Sequence, residues 1–114
     1  MHIIDSSHSQ LLAKAMDSYT LRQRVSSSNI ANIDTPGYKK HEVQFENELQ
    51  KVRESEGVSG MQKVNPSIKE TGEDVVLENE LIEMADTQMR VQLVTRSLRH
   101  HFDMLRTGIT STNR

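Results

Sequence analysis

The sequence predicts an all-α chain, with long N- and C-terminal helices packed as an antiparallel coiled-coil hairpin around an irregular middle segment. Three observations carry this expectation. Residues 6–33 and 73–107 contain no Pro or Gly, and their apolar residues recur at alternating spacings of four and three. Pro36-Gly37 separates the first of these stretches from the middle of the chain. Hydrophobic residues make up 34% of the chain and aromatics 4%, against 26% charged. That is sparse for a compact globule and suits long helices with narrow apolar seams.

Residues 1–33 read as an N-terminal amphipathic helix. Ser6, Ser7 and Ser9 offer capping hydroxyls near its start. Leu12, Met16, Tyr19, Ser26, Ile30 and Ile33 form the stripe, Gln23 fills its gap, and Leu11, Ala15 and Val25 widen it. Ser26-Ser27-Ser28 is a weak point, because serine competes for backbone hydrogen bonds. Pro36 disfavours helix at Thr35, so the helix should end near Ile33. Pro36 and Gly37 then suit the two central positions of a type II turn. Asn29 and Asn32, three residues apart with Ala31 between them, form a small polar face that another backbone could approach closely.

Residues 34–75 read as this turn, one short helical element and an extended or mobile loop. Val43, Phe45, Leu49 and Val52 suggest the helical element, over about residues 45–54. Gly57, Gly60, Pro66 and Gly72 punctuate residues 55–75, where no periodicity survives. A loop that long is unusual inside a compact domain, and fits a chain whose neighbours order it.

Residues 76–114 give the clearest pattern, a C-terminal heptad helix. Leu77, Leu81, Met84, Gln88, Val91, Thr95, Leu98, Phe102, Leu105 and Ile109 alternate four and three without a slip. Ile82, Ala85, Met89 and Val94 broaden the seam, while Glu78, Glu80, Glu83, Arg90, Arg96 and Arg99 mark its solvent side. Asp74 is the candidate cap at the start and Gly108 the candidate stop. Two such helices alone bury little apolar surface for the backbone they order, so further burial against neighbours is expected.

Few chemistries are open to this chain. It has no Cys, which excludes disulfides and thiol catalysis. A net charge of −2 gives no reason to expect nucleic acid as a partner. No apolar run approaches the ~18 residues that would span a bilayer. The first residues lack the basic and apolar regions of a cleavable secretory signal. His100 and His101 are adjacent, so on a helix their rings diverge by about 100° and do not readily share one ion. No nucleophile motif or phosphate-binding loop occurs. The expectation is a chain with no catalytic, cofactor-binding or metal-binding residues, no cofactor and no small-molecule substrate.

One string is more specific than a plain helix stop. Asn29-Ile30-Ala31-Asn32-Ile33-Asp34-Thr35-Pro36-Gly37-Tyr38-Lys39 resembles the N-terminal signature of the bacterial flagellar axial proteins, which include the rod and hook subunits. Leu77, Glu78, Glu80, Leu81, Met84, Ala85, Gln88 and Arg90, with Leu98, Phe102, Met104, Leu105, Thr107 and Ile109, resemble the C-terminal helix of the proximal-rod branch. The resemblance leaves residues 46–73 poorly matched. It implies a structural, non-enzymatic subunit of the flagellar basal-body proximal rod, which self- and co-assembles through coiled-coil helices at the base of the drive shaft. It implies Asn29, Ile30, Ala31, Asn32, Thr35, Pro36, Gly37 and Tyr38 as an assembly signature. It also implies export by the flagellar type III system without a cleaved signal. Expected partners are other rod subunits, the rod-to-ring adaptor, the MS ring, the export gate and copies of the chain itself. A small cytoplasmic coiled-coil adaptor or export chaperone is the alternative.

Overall fold

The computed structural model describes the backbone of residues 2–112 and the side chains of residues 8–108. It is mostly helical, with two short strands. In chain order the elements are α1 (His2–Ala31), β1 (His41–Gln44), α2 (Glu46–Glu56), a 3-10 helix (Val58–Lys63), β2 (Ser67–Glu70) and α3 (Leu77–Thr112). The molecule is a narrow slab of 65 × 30 × 14 Å.

α1 accommodates Ser18 and Thr20 because their hydroxyls bond back to the helix. Ser18 donates to the Ala15 carbonyl at 2.8 Å, and Thr20 to that of Met16 at 3.1 Å. The helix ends two residues before the expected Ile33. Asn32 Nδ2 takes up the Ser28 carbonyl at 2.8 Å, and the Ile33 amide bonds the Ile30 carbonyl in a tighter i→i+3 turn at 3.2 Å. Ile33, predicted in the seam, is 41% exposed. The turn comes at once. Tyr38 N donates to Thr35 O at 3.1 Å and Gly37 has φ 80°, as a type II turn with Pro36 at its first central position requires.

The middle segment differs from its expected irregularity. β1 and β2 pair antiparallel, with His41 opposite Glu70, Glu42 opposite Lys69, Val43 opposite Ile68 and Gln44 opposite Ser67. Beyond the strands, Lys40 N donates to Glu73 O and Thr71 N to Lys40 O, both at 2.8 Å. Between the strands, α2 starts with Glu46 and Glu48 at its positive end. The 3-10 helix then packs against it. Gly60 makes this packing possible, since a Cβ there would lie 2.7 Å from Glu56 Cβ and 2.9 Å from Val52 Cγ1. Lys14 of α1 donates to the carbonyls of Gln62 and, at 3.0 Å, Val64, pinning the end of this turn to α1. Among the described residues the buried apolar side chains are Tyr19, Val25, Val43, Phe45 and Val64, so their core sits where the middle segment covers α1.

α3 has 36 residues, about 54 Å at ~1.5 Å per residue. It begins with the Glu80 amide donating to Val76 O at 3.1 Å, which makes Val76 the capping position. Asp74, the expected cap, instead pairs with Lys39 at 2.7 Å. Gly108, the expected stop, lies inside the helix, which continues to Thr112. α1 and α3 run in opposite directions: Asn29 meets Glu80, Gln23 meets Met84, and His8 meets His101.

The face that α3 turns to α1 is not the one its apolar pattern predicts. Glu80, Met84, Thr87, Val91, Val94, Leu98 and His101 are buried or half-buried at four-three spacing. Of the predicted seam, Met84, Val91 and Leu98 lie on this face and Thr95 is half-buried beside it. Leu77, Leu81, Phe102 and Leu105 are 41%, 53%, 56% and 40% exposed, and Gln88 is exposed as well. The Ile109 side chain lies outside the described residues. On α1 the predicted Tyr19 is buried, while Leu12, Met16 and Ile30 are half-buried.

Candidate assembly site

The signature string folds into a polar knot at one end of the helix pair. Its hub is Asn29, 1% exposed on the last turns of α1. Asn29 Nδ2 donates to His41 O at 2.9 Å and to Glu80 Oε1 at 3.2 Å. Its Oδ1 accepts from Tyr38 Oη at 2.9 Å and from the His41 amide at 3.0 Å. Both donors and both acceptor directions of one amide side chain are therefore used. Four partners from three places, the turn, β1 and α3, meet on a single residue.

The type II turn puts Tyr38 within reach. Reversing the chain after Thr35 brings its ring back over α1 and 5.2 Å from the His41 ring, with Tyr38 Oη 3.1 Å from His41 Nδ1. Lys40 enters from the next residues. Its Nζ lies 3.5 Å from Glu80, 3.7 Å from Glu42 and 3.9 Å from Glu83. Burial alone would lower the Lys40 pKa. Attraction to Glu80, Glu83 and Glu42 outweighs burial and holds it above the ordinary lysine value. Glu80 is fully buried, and its Oε2 has no hydrogen-bond partner among the described residues.

The members of the predicted signature therefore divide. Asn29 and Tyr38 point inward and work within the chain. Asn32 and Thr35 close the end of α1, Thr35 Oγ1 donating to Asn32 Oδ1 at 3.2 Å. Ile30 is half-buried, and Ala31, Thr35, Pro36 and Gly37 face solvent. The backbone that approaches this face is that of His41, which bonds Asn29 through its amide and carbonyl, while Asn32 bonds Ser28 and Thr35. His41 carries no signal in the sequence, and Glu80, which the charge pattern assigns to the solvent side of the seam, is fully buried. A periodic signal for its burial is the heptad spacing of Glu80 to Thr87, Val94 and His101, which competes with the more apolar stripe one residue on.

Other charged contacts are peripheral. Arg22 of α1 pairs with Glu46 at the start of α2. Lys39–Asp74 is exposed, and its hydrogen bond and charge lower the Asp74 pKa. His100 is exposed, while His101 turns its ring towards His8 with centroids 5.8 Å apart. Among the described residues, no three His, Asp or Glu side chains gather as a metal site would require, and no helix is long and apolar enough to cross a membrane.

Comparisons with known proteins bear on what this knot belongs to. A family model described as "Flagella basal body rod protein" matches residues 12–39, from the first stripe of α1 through the turn. The flagellar basal body rod protein FlgB of Borrelia hermsii is 30% identical over 118 aligned positions, covering 81% of this chain and 87% of the relative. FlgB of Bacillus subtilis (strain 168) is 29% identical over 118 positions, covering 89% and 92%. FlgB of Yersinia ruckeri is 43% identical over a shorter stretch of 47 positions, 41% of this chain and 34% of the relative. No solved structure matches. Because the similarity spans nearly all of both chains, this chain belongs to the FlgB family of flagellar basal body rod proteins, and it is a structural subunit of the rod, not an enzyme.

Proposed function

We propose that the chain occupies the proximal segment of the rod, at the base of the drive shaft, and joins its neighbours by coiled-coil packing along the outward side of α3. The supporting observation is the apolar surface α3 leaves uncovered. Leu77, Leu81, Ile82, Met89, Leu93, Phe102, Met104 and Leu105 are all exposed on this one helix. Exposed apolar area on that scale suits a surface covered in an assembly. α1 and α3 form the antiparallel coiled-coil hairpin that carries the surface, and the signature residues hold that hairpin in shape.

The same reading has the chain leave the cell through the flagellar type III system without cleavage. Its neighbours are then other rod subunits, further copies of itself, the rod-to-ring adaptor, the MS ring and the export gate. Family membership supports this reading over a cytoplasmic adaptor or export chaperone. The test is a subunit-resolved map of isolated basal bodies. Density for this chain is expected in the rod segment next to the MS ring, with Leu81 and Phe102 covered by neighbouring helices. Finding it only in a distal segment, or with that stripe facing water, would overturn the proposal.

A further inference from the structure

α3 offers α1 two nearly equivalent faces. One is Leu77, Leu81, Met84, Gln88, Val91, Thr95, Leu98, Phe102 and Leu105; the other is Glu80, Met84, Thr87, Val91, Val94, Leu98 and His101. They share the row of Met84, Val91 and Leu98, which Leu77 and Leu105 continue, and differ in the other row: Leu81, Gln88, Thr95 and Phe102 against Glu80, Thr87, Val94 and His101. Exchanging one for the other needs a rotation of α3 by only about 50°, half the ~100° between adjacent residues. Apolar burial alone favours the first face, which would cover Leu81 and Phe102 in place of Glu80 and His101. The molecule uses the second.

We propose that Glu80, with Asn29 and Lys40, is a register key that fixes the rotation of α3 and so leaves the Leu81–Phe102 row outward. Glu80 is fully buried, accepts from Asn29 Nδ2 at 3.2 Å and lies 3.5 Å from Lys40 Nζ. Turning α3 to the more apolar face would carry this carboxylate away and bring Leu81 against Asn29 and Lys40. That would leave one buried amide donor of Asn29 unpaired and take from Lys40 the nearest of its carboxylates, leaving it Glu42 on β1, which costs more than the added apolar contact returns. A polar residue inside a helix seam commonly selects register in this way, at some expense of stability. The key acts from one end, and His101 facing His8 shows the same rotation kept along α3.

The rotation is a property of the single chain. The use of the outward row by a neighbour rests on the rod reading, so the test keeps the two apart. The chain has no cysteine of its own, which allows a clean reporter. Two full-length versions carry His8→Cys, one with His101→Cys and one with Phe102→Cys, and are treated with a short thiol-to-thiol cross-linker. The 101 pair should cross-link faster. In Glu80→Leu/Lys40→Met, which leaves no fully buried charge unpaired, since Glu42 and Glu83 are partly exposed, the chain should stay helical and melt no lower than the parent. The ratio of 101 to 102 cross-linking should fall by about fivefold or more, the equivalent of ~1 kcal/mol. Glu80→Gln keeps an acceptor for Asn29 and should hold the parent ratio. An unchanged ratio in the double variant, or a shift in Glu80→Gln as large as in the double, overturns the key. A shifted ratio with normal rod incorporation in cells upholds the key and overturns the outward row as the rod-facing surface.

Discussion

The two ends of the helix pair are held by opposite means. At the turn, Asn29 and Glu80 are 1% and 0% exposed and the contacts are polar and directional. Towards the far end, Phe102, Met104 and Leu105 are 56%, 62% and 40% exposed, and α1 is met chiefly by Val94, Leu98 and His101. The first end is closed within the chain and has one geometry. The second has apolar surface to spare. Directional bonds decide which way the helices face, whereas non-directional burial supplies capacity for contact but little choice of orientation.

The sharpest way to break this contrast is at the hub. Asn29→Ala strands the His41 amide and carbonyl and takes one partner each from Tyr38 Oη and Glu80. It should cost about 3–5 kcal/mol, read as loss of the cooperative helical transition in urea. A variant within about 1 kcal/mol of the parent would show that water replaces the amide adequately. At the far end the expected cost depends on which way a residue points. Leu98→Asp, on the face turned to α1, should lose about 2–3 kcal/mol and motility with it.

The turn comes next in size. Gly37 has φ 80° and an added Cβ would meet nothing within 4 Å, so substitution there strains the backbone without a clash. Gly37→Val should cost about 1–3 kcal/mol, and Gly37→Asn less, since Asn tolerates the left-handed region. Equal melting of the two variants would leave the turn without a part in holding the first end. Lys40 offers a pH test. Its pKa is raised in the folded chain above the ordinary 10.5, so its contribution is fully present below that value and is lost as pH rises through the folded pKa. The stability difference between the parent and Lys40→Met should therefore narrow in strong alkali; a constant difference would mean the carboxylates do not favour the ammonium. Smallest of all, Phe102→Asp should change the stability of the isolated chain by no more than about 0.5 kcal/mol, yet abolish swimming. Comparable destabilisation by Leu98→Asp and Phe102→Asp would erase the distinction between inward and outward rows.

Both long helices were legible because periodicity over many turns outweighs any single residue. The turn was legible because Pro36 and Gly37 restrict the backbone whatever surrounds them. The antiparallel pairing of β1 with β2 was not. Each strand is four residues long, His41–Gln44 and Ser67–Glu70, too short for alternation to register, and the pairing joins segments far apart in sequence. The 3-10 helix hid for a related reason, since Gly57 and Gly60 read as loop punctuation although Gly60 is what lets α2 be packed against. The rotation of α3 failed differently. Counting apolar residues favours Leu81 and Phe102 over Glu80 and His101, and nothing local says that the carboxylate has an amide and an ammonium waiting on another element. Asn29 was singled out on the string it belongs to, but its role became visible only with its partners in place.

β2 has one more consequence. All four of its residues are exposed, and a strand with an open side is a template on which a stray chain can pair. That is a hazard of clumping between copies. Here the template is short, Pro66 stands just ahead of it with no amide to offer, and Lys69 and Glu70 place charge along it. Those features discourage strand-by-strand accretion along this edge.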